Sequence, residues 1–181
     1  LEPKAVPIQT GTEFKIVRRG LANPFGSPNL EEAARGKKDV LILVDDYTRH
    51  TPVSQILPEV LAALKLASVE QKHIRILVAS GTHRPMTLDE KRKKVGHQVV
   101  ENYTILDHHC ENLSILVKLP ATPGGTEVWI NRALLESDFV IGIGHIVPHR
   151  VAGFSGGAKI ILPGSSGAKS IGQTHWLSAQ Y

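Results

Sequence analysis

The sequence predicts an α/β fold in which helices flank a mainly parallel β-sheet. Three observations support it: short, strongly apolar runs, helix-like stretches between them, and segments rich in Gly, Pro, His and polar residues after them. Apolar runs of about five residues are typical of strands buried on both faces. Strands that alternate with helices favour a parallel sheet. The expected architecture is Rossmann-like, with ligands bound at the carboxyl ends of the strands.

The elements follow from local patterns along the chain. Three apolar runs predict strongly buried strands, at Val40–Val44, His73–Ala79 and Phe139–Ile143. Weaker patterns predict short strands at Glu13–Val17, Tyr103–Leu106, Leu113–Leu119 and the start of Val128–Leu135. Apolar spacing predicts helices at Leu30–Arg35, Gln55–Leu66, Leu88–Val95 and the end of Val128–Leu135. Thr87 is the expected N-cap of the helix that starts at Leu88, because its hydroxyl can accept from a first-turn amide.

Composition narrows the class of protein. The chain has 181 residues, of which 41% are hydrophobic and 21% charged, which excludes a disordered or collagen-like chain. The single cysteine, Cys110, excludes an intrachain disulfide and fits a reducing compartment, so we expect a cytoplasmic protein. No apolar run approaches the roughly 20 residues of a membrane span, so no membrane partner is expected.

The formal net charge of +4 is spread along the chain. The densest basic run, Lys91–Lys94, follows two acidic residues, which predicts a solvated helix face. No aromatic residues alternate with basic ones in the way that stacks nucleobases, so no nucleic-acid partner is expected.

Three segments that follow the main strands contain most of the chemically active residues. They are Asp45–Pro52, Ser80–Thr87 and Gly144–Gly164. Because the carboxyl ends of parallel strands lie at one edge of a sheet, the three segments are expected to meet there.

The first two segments offer polar ligands for an anionic substrate. Arg49 can bind a carboxylate or phosphate through two parallel hydrogen bonds, and Asp46 can accept from ribose hydroxyls or orient Arg49. The alternative is an ordinary helix start, capped by Asp with Pro52 in its first turn. His83 follows a strand and suits acid–base chemistry near neutral pH, although a lone histidine in a surface loop is a common alternative.

The third segment is rich in glycine. Gly153–Lys159 resembles a phosphate-binding loop but has Ala158 and Ile160 where that motif needs Gly and Ser or Thr. A phosphate can still be expected on the backbone amides of Ser155–Ala158. Lys159 stands among apolar residues, so a depressed pKa and covalent chemistry are one prediction. A lysine whose ammonium reaches water is the other.

The remaining histidines leave several metal chemistries open. His145 and His149 have the spacing of a zinc helix, but Pro148 and the lack of a following glutamate exclude that motif. His175 is a candidate metal ligand, or simply a surface residue. The Asp107–Cys110 stretch also contains possible ligands but is predicted to be a surface loop.

Taken together, these motifs resemble the amino-terminal domain of the nickel-pincer lactate racemase family, a group of 2-hydroxy-acid racemases and epimerases. The matching strings, in the family's order, are Asp45-Asp46-x-Thr48-Arg49-x-Thr51-Pro52, Ser80–Thr87, Pro148-His149, Gly153–Lys159, Pro163-Gly164 and His175. They cover nearly the whole chain. The resemblance implies that residues 1–181 form one amino-terminal catalytic and cofactor-binding domain, and that a carboxyl-terminal domain which closes over the site is missing.

The resemblance also implies a cofactor, the nickel pincer nucleotide (nickel pyridinium-3,5-bisthiocarboxylic acid mononucleotide). It would be attached covalently at Lys159, with His175 completing the nickel coordination, and separate cofactor-synthesis enzymes would make it. The residues matching the cofactor-contacting segment are Asp46, Tyr47, Thr48 and Arg49.

The implied reaction is racemisation by reversible hydride transfer between a small 2-hydroxy acid and the cofactor. His83 and His149 match the paired acid–base residues, and Arg49 is also expected to bind substrate. His50 replaces the proline that is usual in the family, which leaves room for a different substrate contact.

Two other functions stay open at this point. One is a nucleotide-phosphate-binding module without redox chemistry, built on the backbone at Gly156-Gly157. The other is a zinc hydrolase, whose ligands would be His83, His145, His149 and His175.

Overall fold

Four parallel strands form the central sheet of the computed structural model, in which residues 13–149 and 152–180 are described. The strands are β1 (Val40–Val44), β2 (Ile74–Val78), β3 (Thr104–Asp107), β4 (Leu116–Leu119), β5 (Val128–Asn131), β6 (Phe139–Ile143), β7 (Pro148–His149) and β8 (Gly153–Phe154). The helices are α1 (Glu13–Ala22), α2 (Leu30–Ala34), α3 (Val53–Leu66), α4 (Leu88–Val95), α5 (His97–Asn102), α6 (Arg132–Leu135) and α7 (Ala168–Gln180). The central sheet has the order β3-β2-β1-β6, whereas β4-β5 and β7-β8 are antiparallel pairs. The predicted α/β fold with a parallel sheet is confirmed.

The core lies on both faces of strand β1, whose five residues are all buried. On one face Ile42 and Val44 pack with Leu57 and Leu64 of α3. The other face contains a smaller apolar cluster around Leu41. Each fully buried aliphatic side chain contributes about 1.5–3 kcal/mol, so this strand is the best-anchored element of the sheet. The strand register places Val44, Val78 and Ile143 side by side, so the loops that follow them start at one edge.

Strand β6 exists as predicted, but the prediction that it is strongly buried is wrong. Its first four residues alternate between partly buried and exposed, with Val140 36% exposed, and Ile143 at its end is buried. The reason is its position: among the described strands, β6 pairs only with β1 and forms one edge of the central sheet.

Helix α4 has the predicted bounds and the predicted cap. The Thr87 hydroxyl accepts from the amide of Glu90, and the Glu90 carboxylate accepts from the amide of Thr87. Two free amides of the first turn are thereby satisfied, which fixes where the helix begins.

The predicted strand at Glu13–Val17 is wrong, because these residues form the first half of α1. Val17 and Leu21 are one helical turn apart, and Leu21 packs against the main core. A window of five residues cannot show this helical period, whereas the full ten-residue helix does. Helices α5 and α7 were not predicted, and the predicted strand Leu113–Leu119 begins as a 3₁₀ turn before β4.

The stretch Asp107–Cys110 is only in part the surface loop that the sequence predicted: His109 is exposed, whereas its neighbour His108 is buried. His108 is 1% exposed, and its Nε2 donates to the carbonyl of Ser166 at 2.8 Å. Its Nδ1 lies 3.1 Å from the side-chain amide of Asn131. Burial lowers the pKa of this imidazole. His108 therefore connects β3 to the segment before α7.

The basic run Lys91–Lys94 is only in part the predicted solvated face. Lys93 is exposed, but Lys91 lies 2.5 Å from a carboxylate oxygen of Asp107, and Lys94 is only 9% exposed. Positions 91, 94 and 95 share one side of the helix, which faces the protein. Among the described helices, none is both long and apolar enough for a membrane span.

Candidate functional site

A cleft of about 200 Å³ lies at the carboxyl edge of the central sheet. Its walls come from the loops after β1, β2 and β6, from the glycine-rich turn after β8, and from one side of α7. The residues of interest that line it are Asp45, Asp46, Arg49, His83, His145, His149, Ser155, Lys159 and His175. The three segments after the main strands thus meet, as the parallel topology predicts.

Asp46, in the loop after β1, is buried and held by several hydrogen bonds; this loop forms the first wall of the cleft. Asp46 is 2% exposed, and its Oδ1 accepts from the amide and the hydroxyl of Thr48, at 3.0 and 2.6 Å. Its Oδ2 lies 2.5 Å from Nδ1 of His83. An ionised carboxylate only accepts hydrogen bonds, so the proton of this contact lies on Nδ1 and Nε2 of His83 is the nitrogen left to exchange protons. The expectation that Asp46 orients Arg49 is replaced by this contact with His83.

Tyr47 and Thr48 contact other side chains and do not line the cleft. The guanidinium of Arg84 lies over the Tyr47 ring, 4.5 Å from its centroid, and forms two hydrogen bonds with Glu90. Thr48 bonds Asp46, as described above, and neither residue is among the described residues that line the cleft. Their assignment as cofactor contacts stays a prediction.

Lys159 lies in a 3₁₀ turn that forms another wall of the cleft. Burial lowers the pKa of its ammonium, and the nearby cation of Arg49 lowers it further. The direction agrees with the depressed pKa that its apolar neighbours predict. A larger share of this amine is neutral, and therefore nucleophilic, than of an ordinary surface lysine.

A tight glycine turn brings Lys159 to the cleft. Gly156 has φ of +78°, and a Cβ there would lie 2.9 Å from Cγ1 of Ile146 and 3.1 Å from the carbonyl oxygen of His145. Next to it, the Ser155 hydroxyl donates to the same carbonyl at 2.7 Å. The Ser155 amide donates to the carbonyl of Val147, so this amide cannot take part in the predicted phosphate site.

The histidines reach the cleft from separate elements. His149 ends β7, and its Nδ1 accepts from the amide of Ala152 at 3.2 Å, which orients the ring. His175 lies in α7, one turn after the buried Ile171, and both line the cleft. His50 is exposed and is not among the described cleft residues. Within residues 13–149 and 152–180, no group of three or more His, Cys, Asp or Glu side chains is arranged to hold a metal ion.

Sequence reasoning missed Lys94 and underrated Ser155. Lys94 was assigned to a solvated face, although it is one turn from Lys91 and next to the buried Val95 on an inward-facing side. That helical spacing is the signal that identifies it. Ser155 stands beside two glycines, but nothing in the sequence indicates its bond to His145 across the loop.

Known proteins resemble this chain in sequence and in structure. Two lactate racemases match it over 164 residues: that of Lactiplantibacillus plantarum at 41% identity and that of Thermoanaerobacterium thermosaccharolyticum at 37%. The crystal structure of a Thermotoga maritima protein matches at 27% identity and a TM-score of 0.78, covering 92% of this chain and 41% of that one. The structure of the lactate racemase apoprotein from T. thermosaccharolyticum matches at 37% identity and a TM-score of 0.83, covering 87% of this chain and 38% of that one.

The two curated relatives are much longer than this chain. The match covers 91% of the chain but 38% of each relative, so the chain spans about two fifths of their length. The family model of the lactate racemase N-terminal domain matches residues 1–180. The chain therefore belongs to the lactate racemase N-terminal domain family.

Proposed function

We propose that the protein of which this chain is the amino-terminal domain racemises or epimerises a 2-hydroxy acid of the lactate type. The observation that supports this best is the convergence of Arg49, His83, His149, Lys159 and His175 on one cleft. The reaction needs a cation for the substrate carboxylate, groups that exchange the hydroxyl proton, and a place for an electron-accepting cofactor. The names of the curated relatives, both lactate racemases, point to the same substrate class.

The cleft residues fit the nickel pincer nucleotide. Lys159 offers an amine whose pKa is lowered by burial, which suits covalent attachment. His175 offers one imidazole, which is sufficient for a nickel ion whose other donors belong to the cofactor. When bound, the group supplies an electrophilic pyridinium ring that accepts and returns a hydride. Asp46 and Arg49, which line the cleft, would contact it, and Tyr47 and Thr48 stay predicted contacts from the same loop.

The protein's own residues would bind the substrate and move its hydroxyl proton. Arg49 binds the carboxylate through two hydrogen bonds and so orients the hydroxyl-bearing carbon. His83 accepts the hydroxyl proton at Nε2, and the Asp46 carboxylate stabilises the imidazolium that results. His149 would serve the opposite enantiomer: its Nδ1 accepts from the Ala152 amide, so the neutral ring carries its proton on Nε2 and can donate it to the substrate oxygen. Two histidines are needed because the hydroxyl of the two enantiomers points in different directions when the carboxylate is held in place.

No specific observation favours either of the two alternative functions. A zinc hydrolase needs several ligands around one ion, and the described residues include no such group. A phosphate-binding module would use the amides of Ser155–Ala158, but the first of these already donates to Val147.

The experiment uses the full-length protein, produced in the cytoplasm of a host that also expresses the cofactor-synthesis enzymes. Single-enantiomer lactate, malate and sugar acids are each added, and optical rotation is followed with time. We expect rotation to decay to zero with lactate or malate, or to move to a new constant value with a sugar acid, and an intact mass that includes an adduct on Lys159. Lys159→Met is the matched control and should lose both. No change of rotation with any acid, together with no adduct, contradicts the proposal.

A further inference from the structure

Lys94 reaches from helix α4 into the loop that carries Asp46 and Arg49. Its ammonium lies 2.6 Å from Oδ1 of Asp45 and donates to the backbone carbonyls of Arg49 at 2.9 Å and Thr51 at 3.3 Å. An ammonium has three N–H donors, and three oxygens of one loop surround this one. Lys94 therefore holds the loop between β1 and α3 by two hydrogen bonds and one ion pair.

This contact is buried rather than a surface ion pair. The side chain of Lys94 is 7% exposed and that of Asp45 is 14% exposed. The second oxygen of Asp45 accepts from the hydroxyl of Thr51, which is also buried. Buried charges are costly unless they are paired and hydrogen-bonded. Here the charges are paired, but Oδ1 of Asp45 accepts no hydrogen bond, so the ion pair with Lys94 is its only compensation among the described contacts.

The contact connects the loop that carries Asp46 to the helix that follows the loop of His83. Asp46 belongs to the loop that surrounds the Lys94 ammonium. His83 belongs to the loop just before α4, and Lys94 is a residue of that helix. The 2.5 Å contact between Asp46 and His83 therefore depends on how these two loops are held together. The position of the Arg49 backbone depends on the same ammonium, because its carbonyl is one of the three acceptors.

We infer that Lys94 is a positioning residue, which holds Arg49 and the Asp46–His83 pair in the geometry that binds and turns over the 2-hydroxy acid. This inference rests on the proposed function. Lys94 is not among the described residues that line the cleft, so it acts through the backbone of the β1–α3 loop rather than through substrate.

The test compares four variants of the full-length, cofactor-loaded protein: Lys94→Met, Asp45→Asn, the double variant, and Lys93→Met as the matched control from the exposed side of α4. Displacement of reacting groups by about 1 Å can cost about 100-fold, and we expect a loss of this order in kcat/KM for Lys94→Met. Since Arg49 binds the substrate carboxylate, part of the loss should be a raised KM. Lys93→Met should leave kcat/KM unchanged.

The double variant separates positioning from simple stability. Replacement of both charged partners removes the unpaired charge, so its melting temperature should return close to that of the parent. Its kcat/KM should stay at least about tenfold low, because the methionine side chain makes none of the three loop contacts of the lysine that it replaces. Recovery of kcat/KM together with stability in the double variant overturns the inference, as does a normal kcat/KM in Lys94→Met.

Amide hydrogen exchange gives a readout that does not need turnover. In the double variant, amides of residues 46–51 should exchange about tenfold faster than in the parent, with the strands of the central sheet unchanged. If the loaded parent acts on no 2-hydroxy acid, the proposed function fails, but this measurement still decides the role of Lys94. Unchanged exchange over residues 46–51, or an equal increase throughout the chain, overturns the inference.

Discussion

Replacement of Asp46 by asparagine removes one negative charge from the cleft and almost no volume. The carboxylate is buried, and its Oδ2 is the atom 2.5 Å from Nδ1 of His83. A hydrogen bond to a charged partner contributes about 1.5–3 kcal/mol, and this is the stabilisation that the imidazolium of His83 loses. At 1.36 kcal/mol for each factor of ten, kcat should fall by about 10- to 150-fold. An asparagine that turns its NH₂ towards Nδ1 places the proton on Nε2, which disables the base and enlarges the loss.

The assay measures initial rates of lactate racemisation with the full-length, loaded Asp46→Asn protein. KM should stay within about twofold, because the carboxylate contact of Arg49 is not removed. Asp89→Asn, at an exposed carboxylate on α4, is the control and should behave like the parent. A kcat for Asp46→Asn within about twofold of the parent would refute the role of the pair.

Three further predictions concern Lys159, Glu90 and the core. In trace acetylation, Lys159 should react at lower pH than the exposed Lys93, because burial lowers its pKa and leaves more neutral amine; equal pH profiles would contradict this. The Arg84 guanidinium lowers the pKa of Glu90 from 4.5 to about 2. The stability that the ionised Glu90 contributes is therefore present above pH 4.5 and is lost as the pH falls towards 2. Acid titration followed by circular dichroism should therefore show a weaker pH dependence for Glu90→Gln over that range than for the parent. Leu57→Ala should lower the free energy of unfolding in urea by about 2–5 kcal/mol, since this side chain is fully buried against β1; a loss below about 1 kcal/mol would mean the core is not packed as described.

The sequence was sufficient to predict the sheet and the meeting of its loops. Val40–Val44 is a short, wholly apolar run between charged residues, and only a strand with neighbours on both sides buries all five residues. Because the strands are parallel, the loops after Val44, Val78 and Ile143 all start at one edge of the sheet. No further information from the sequence is needed to predict this. The proximity of the segments that hold Asp46 and His83 is thus a consequence of topology.

The sequence was not sufficient where an interaction joins distant parts of the chain. Lys94 looks like its neighbours in a basic run, and only the fold brings Asp45 to its ammonium. His108 likewise resembles a loop histidine until Ser166 and Asn131 are seen around it. A polar residue becomes buried only when partners satisfy it, so its burial depends on the whole fold rather than on its own segment.

The two walls of the cleft are anchored differently, and this difference suits the proposed chemistry. His83 follows β2, which lies inside the sheet and is buried along most of its length, and its loop is connected to Asp46 and α4. Lys159 and His149 follow β6, an edge strand with alternate residues exposed. Local opening costs least where little apolar surface is buried, so the second wall should open more readily than the first. A cofactor attached at Lys159, as proposed, would have to enter before the bond forms, and a wall that opens readily would permit entry while the Asp46–His83 pair keeps its geometry.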